Sequence, residues 1–146
     1  SLKKDLNKKF NSILYLNVLE HIENDKSEIE IALEKLEQGG HLIILVPAHQ
    51  KIYGKLDKAV GHYKRYDIDF FRENKFKNSK IVKLHFLDLF GYVLYHFNKI
   101  IFKEETYPSN LKIFIWDKVF TPFTIIVDFL TRYKFGKNIL CVYEKI

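Results

Sequence analysis

Two kinds of apolar pattern alternate along this chain. Residues 13–16 form a short continuous apolar run, Ile-Leu-Tyr-Leu, of the kind shown by a parallel strand covered on both faces. Polar chemistry follows at once in Asn17, Glu20 and His21. Asp25, with Glu28 three residues on, then reads as a capping box, and Ile29, Leu33 and Leu36 recur at helical spacing. Gly39-Gly40 is expected to end that helix, and residues 42–46 form a second apolar strand stopped by Pro47. Strand, helix, glycine turn and strand make a βαβ unit with parallel strands.

The next stretch, 48–66, has neither periodicity and reads as a long loop of the kind kept for function. Asp67 is placed to cap a short helix through Asn74, and residues 80–87 alternate as a strand. Residues 91–102 are aromatic-rich and helical in pattern. Pro108 marks a break, and Asn110 is placed to cap a further helix from about Leu111. Trp116, Phe120, Phe123 and Val127 fall on one side of that segment, and Pro122 divides it. Residues 138–144 make the final strand. The expected fold is α/β in one domain over 1–146, a half-sheet with aromatic helices inserted before its last strand.

Composition narrows the function classes. Twenty-four basic and eighteen acidic residues give a formal charge of +6, a surplus that reads as a solvated lysine-rich surface rather than a nucleic-acid interface. The single cysteine, Cys141, sits in a strand-like run. It excludes an internal disulfide, and no Cys/His cluster has zinc spacing, so no metal site is expected. Charged residues interrupt both aromatic segments, which argues against a membrane span; an interfacial helix at a membrane surface stays open. No secretory signal is seen, so a cytoplasmic location is the default. The chain has no methionine, and a start just ahead of what reads as a mid-sheet strand is what a fragment would show.

Three segments carry candidate chemistry: residues 11–22 with Asn17, Val18, Leu19, Glu20 and His21; Gly39-Gly40 through Pro47; and 57–66, with Asp57, Gly61, His62, Tyr63, Lys64, Arg65 and Tyr66. Together they resemble the second half of a class I S-adenosylmethionine-dependent methyltransferase. That resemblance implies a partial Rossmann-like methyltransferase sheet, S-adenosylmethionine as cofactor, and a small-molecule or lipid- or sugar-linked methyl acceptor. It places Asn17, Val18, Leu19, Glu20 and His21 against the cofactor. It makes His62 a general base and sets Tyr66, with Tyr63, beside the sulfonium. It leaves His49, Tyr63, Lys64 and Arg65 to hold the acceptor.

By residue type alone other readings stand beside these. The first segment also reads as a helix cap with a buried aliphatic pair, and the last as a basic surface loop anchored by tyrosines. The family's glycine-rich first strand and its acidic ribose-binding residue are not among these residues. A fragment, a chain completed by a second polypeptide or by its own copy, and a non-catalytic module are therefore all compatible with the pattern. The edge of the first strand is the expected pairing surface.

Overall fold

The computed structural model describes residues 8–102, 114, 118 and 121–146; at 95, 97–102, 121 and 122 it describes the backbone only. Pro108, Asn110, Trp116 and Phe120, and the helix expected from about Leu111, lie outside the described residues.

Four strands form one sheet in the order β1-β2-β4-β3. Strand β1 (Phe10–Leu16) and strand β2 (Leu36–Pro47) are parallel, joined through helix α1 (Asp25–Glu34). Strand β4 (Asn138–Lys145) lies antiparallel to β2 and to β3 (Ser79–Leu87), so the last strand enters between two earlier ones. Among the described residues, helices α4 (Leu89–Phe102) and α5 (Thr121–Leu130) lie between β3 and β4. Two shorter helices, α2 (Lys55–Ala59) and α3 (Ile68–Glu73), follow β2. This is the expected α/β half-sheet, and α4 lies where the first aromatic segment put a helix.

Helix α1 buries Ile29, Ala32 and Leu33 in one cluster with Ile13, Leu42 and Ile44 of the sheet. Each buried Ile or Leu among them contributes about 1.5–3 kcal/mol of transfer free energy. Burial on both faces does not hold for β1, however. Ile13 and Tyr15 point inward, whereas Leu14 is 56% and Leu16 50% exposed, because among the described residues no element packs over that face of β1.

The capping box is likewise not made. Asn24 is the N-cap, without a side-chain bond to the helix amides. Asp25 instead turns its carboxylate to Tyr66 and Lys64, and Glu28 accepts from Tyr15 Oη at 2.7 Å. Nor do Gly39 and Gly40 end the helix, since Leu36 already pairs with Phe10 in the sheet. The register slips between Phe10 and Ser12, and the extra residues of β2 bulge outward there. Gly39 takes φ +75°, and a Cβ on Gly40 would stand 2.9 Å from the Glu37 carbonyl oxygen and 3.1 Å from that of Asn11. The glycines serve the bulge.

The loop after β2 is more ordered than its aperiodic sequence suggests. Its ends are pinned together where Tyr66 N–H donates to the Pro47 carbonyl at 2.9 Å and His49 N–H to that of Tyr66 at 2.8 Å. Between them, the part of the loop that carries Asp57, His62 and Arg65 returns to the carboxyl ends of β1 and β2.

Candidate functional site

A cleft of about 350 Å³ opens at those strand ends, lined by residues from four stretches of the chain. Asn17, Glu20 and His21 come from the turn after β1; Asp57, His62 and Arg65 come from the loop; Pro47 and Asn138 face each other across the β2–β4 pair. A crevice beyond the carboxyl ends of parallel strands is where open α/β sheets place ligands.

Asp57 organises the loop side. It is buried, at the third position of α2. Its Oδ2 accepts from Gly54 N–H at 2.9 Å; its Oδ1 accepts from Arg65 Nε at 2.8 Å and from His62 Nδ1 at 3.0 Å. Burial alone would raise its carboxyl pKa, but the Gly54 amide, the Arg65 guanidinium and His62 outweigh it and hold the group below the usual carboxylate range. An ionised carboxylate only accepts, so His62 carries its proton on Nδ1 and turns the lone pair of Nε2 toward the cleft.

The strand side is built by the tight turn at Asn17, whose φ is 53° and whose N–H still bonds the Leu45 carbonyl at 2.9 Å. A short 3-10 turn over Leu19–His21 then sinks Leu19 into the core and Glu20 beneath the cleft. Glu20 is 1% exposed, and its Oε2 is buried without a hydrogen-bond partner. Burial pushes its carboxyl pKa up, opposed in part by its own backbone amide and by His62 and His21. His62 Nε2 lies 3.9 Å from Glu20 Oε1, and the His21 and His62 rings meet edge to face with centroids 4.7 Å apart. His21 Nδ1 contacts the Gly61 carbonyl at 3.1 Å; a carbonyl cannot donate, so this ring too presents Nε2 as a lone pair.

Of the residues singled out from sequence, Asn17, Glu20, His21, His62 and Arg65 converge on the cleft. The others stand elsewhere. Tyr66 is buried behind the wall, its hydroxyl bonded to Asp25 Oδ2 at 2.8 Å, and burial and that carboxylate push its pKa far up. Lys64 is paired with the same Asp25 oxygen at 2.8 Å and lies over the Tyr66 and Phe70 rings. His49 donates from Nε2 to the Gly136 carbonyl at 2.8 Å and packs on Phe86 and Tyr92. Val18 and Tyr63 are exposed; the Tyr63 amide ties the loop to the Glu20 carbonyl at 2.8 Å.

Three features of the cleft go beyond the sequence expectations. Asp57 was visible in its motif, but its role as a hub depends on contacts within the folded loop. Lys137 and Asn138 arrive from the far end of the chain through strand pairing, which no local signal announces. Glu20, His21 and His62 bring three potential ligand atoms within 4.8 Å of one another, although no metal-ligand spacing shows in the sequence.

No family model matches the chain, and no curated protein does. Among solved structures it is similar to a SAM dependent methyltransferase from Archaeoglobus fulgidus, at 15% identity and TM-score 0.46 over 99% of this chain and 63% of that one. It is also similar to MccD protein, at 16% identity and TM-score 0.47 over 97% of this chain and 64% of that one. The chain thus spans less than two thirds of the length of either. The fold assignment rests on the sheet itself, through its strand order, directions and crossover.

Proposed function

We propose that this chain forms the acceptor-side part of an S-adenosylmethionine-dependent methyltransferase acting on a small-molecule or lipid- or sugar-linked acceptor. The observation that carries the reading is the Asp57–His62 pair, held with its free imidazole nitrogen over a cleft at the carboxyl edge of a parallel strand pair. The exposed Asn17 side chain at the strand end and the adjoining turn fit the polar methionine end of the cofactor.

When bound, S-adenosylmethionine supplies an electrophilic methyl group on a sulfonium that leaves as a neutral thioether. The protein's share is therefore mainly alignment and proton removal. His62 Nε2 takes the proton of the acceptor, Asp57 fixes the tautomer and steadies the imidazolium, and Arg65 adds positive charge to the wall for an anionic acceptor. Leu19 contributes through its backbone only, Val18 offers an apolar rim, and Tyr63 stands at the outer edge. Tyr66, Lys64 and His49 support the loop from behind.

Calorimetric titration of S-adenosylmethionine into the folded chain, up to millimolar concentration, tests the reading. Saturable heat that disappears in Asn17→Ala supports it, and its absence from the wild type removes it.

A second reading, a non-catalytic module at a membrane surface, draws on helix α5. That helix buries Thr124 and Asp128 and turns Phe123, Ile125, Ile126, Phe129 and Leu130 outward, each more than half exposed. Arg132 and Lys134 follow directly. Among the described residues no helix is long and apolar enough to cross a membrane, so such a face would lie in the interface plane. Co-sedimentation with anionic vesicles that is lost in high salt supports this reading, and a chain left in the supernatant counts against it. The half-exposed edge of β1 is our proposed surface for a second copy or a separate N-terminal half; a monomer by sedimentation across a wide concentration range refutes pairing with itself.

A further inference from the structure

We infer that Glu20, His21 and His62 form a binding site for one divalent transition-metal ion. Their ligand atoms lie within 4.8 Å of one another on the floor and rim of the cleft. Each imidazole is fixed through its other nitrogen, His21 Nδ1 on the Gly61 carbonyl at 3.1 Å and His62 Nδ1 on Asp57 Oδ1 at 3.0 Å. This outer-shell arrangement orients an imidazole ligand and raises its basicity. Both Nε2 atoms are left as electron-pair donors.

The second, independent observation is Glu20. The carboxyl is 1% exposed and its Oε2 has no partner, a costly state for a buried polar group. The spacing argues against a proton-bridged cluster, because 3.9 Å between His62 Nε2 and Glu20 Oε1 is too long for a hydrogen bond. A tetrahedral ion with bonds of about 2.0–2.2 Å holds its ligand atoms roughly 3.4 Å apart. Binding would draw His21, an exposed residue, and His62 toward Glu20 from the present separations of up to 4.8 Å. Three potential ligand atoms thus converge beside a buried carboxylate oxygen that has no partner, and a cation is what the cluster would take.

The donor set selects the ion. Two imidazoles and one carboxylate suit zinc, cobalt or ferrous iron, whereas magnesium and calcium favour all-oxygen cages. Three protein ligands leave at least one coordination position directed into the cleft, the arrangement of catalytic rather than structural zinc. His62 Nε2 carries one electron pair, so in the metal-loaded chain it is a ligand and no longer the proton acceptor. The inference does not depend on methyl transfer, since it concerns binding of the ion alone.

The test uses the full chain freed of metal with a chelator, titrated with Zn²⁺ by calorimetry and with Co²⁺ by visible absorption. The expected result is one ion per chain, with cobalt bands characteristic of nitrogen and oxygen donors. Glu20→Gln and His21→Ala should each weaken Zn²⁺ binding at least about tenfold, and His41→Gln should leave it unchanged. His21→Ala replaces an exposed ring, so it keeps the test valid if Glu20→Gln fails to fold. Absence of saturable uptake by folded wild type, or uptake insensitive to both substitutions, overturns the inference.

Discussion

Asp57→Ala should be the most damaging single change on the loop side of the cleft. The carboxylate is buried and accepts three bonds: from Gly54 N–H, from Arg65 Nε at 2.8 Å and from His62 Nδ1 at 3.0 Å. Removing it deprives the guanidinium of this carboxylate while Arg65 stays 7% exposed. Breaking a buried ion pair by deleting one partner costs about 3–5 kcal/mol, mostly because the other charge remains buried. Against a total stability of about 5–15 kcal/mol for a domain, that is a large fraction. Urea unfolding followed by circular dichroism reads the loss as a lower midpoint at unchanged slope. The same argument fixes a double-mutant cycle: Arg65→Met should cost less in the Asp57→Ala background than in wild type, with a coupling of about 1–3 kcal/mol. A loss below about 1 kcal/mol for Asp57→Ala, or strict additivity with Arg65→Met, refutes Asp57 as the hub of the loop.

Three further outcomes follow from buried groups. Cys141 is fully buried and its thiol is pushed up to about 12, so a thiol reagent at pH 8 should leave the folded chain unmodified and label it fully in urea; rapid labelling of folded protein contradicts the core position. His85, whose Nε2 is buried without a partner, is depressed below 6.5 by burial and then by Lys83. The unfolded chain therefore takes the proton first, so stability is full above pH 6.5 and falls as pH drops through the lowered folded value. His85→Gln should flatten that part of the stability–pH curve, and an unchanged curve would reject the assignment. Gly40→Ala sets a methyl group 2.9 Å from the Glu37 carbonyl oxygen and should cost about 1–3 kcal/mol of stability by thermal or urea unfolding; a neutral substitution would deny the tight bulge.

Much of the sheet was legible because its strands are short apolar runs bounded by polar clusters: β1, β3 and β4 fall within a few residues of expectation, whereas β2 begins six residues early, at Leu36. What the pattern could not give was the placing of β4 between β2 and β3, since antiparallel pairing of Ile44 with Cys141 is a contact between distant parts of the chain. The helix that ends early and the strand that begins at Leu36 share one cause: Gly39-Gly40 suits a bulge as well as a helix cap. At the cleft, Asn17, Glu20 and His21 were anticipated because polar residues follow directly on a strand, and His62 and Arg65 through the resemblance that the 57–66 segment carries. Tyr66 and Lys64 were drawn instead to Asp25, which the sequence offered as a cap. A short carboxylate near a helix start has two uses, and the aromatic cluster of Tyr66, Phe70 and Phe71 decides between them by burying the tyrosine.

The central claim is that the strand-end cleft receives the cofactor. Amide resonances of isotope-labelled chain, recorded while S-adenosylmethionine is added to millimolar concentration, test it residue by residue. The account predicts saturable shifts concentrated on Asn17 through His21, spreading to His62 and Arg65 and sparing β3. Shifts centred elsewhere, or a spectrum unchanged at the highest concentration, would contradict it.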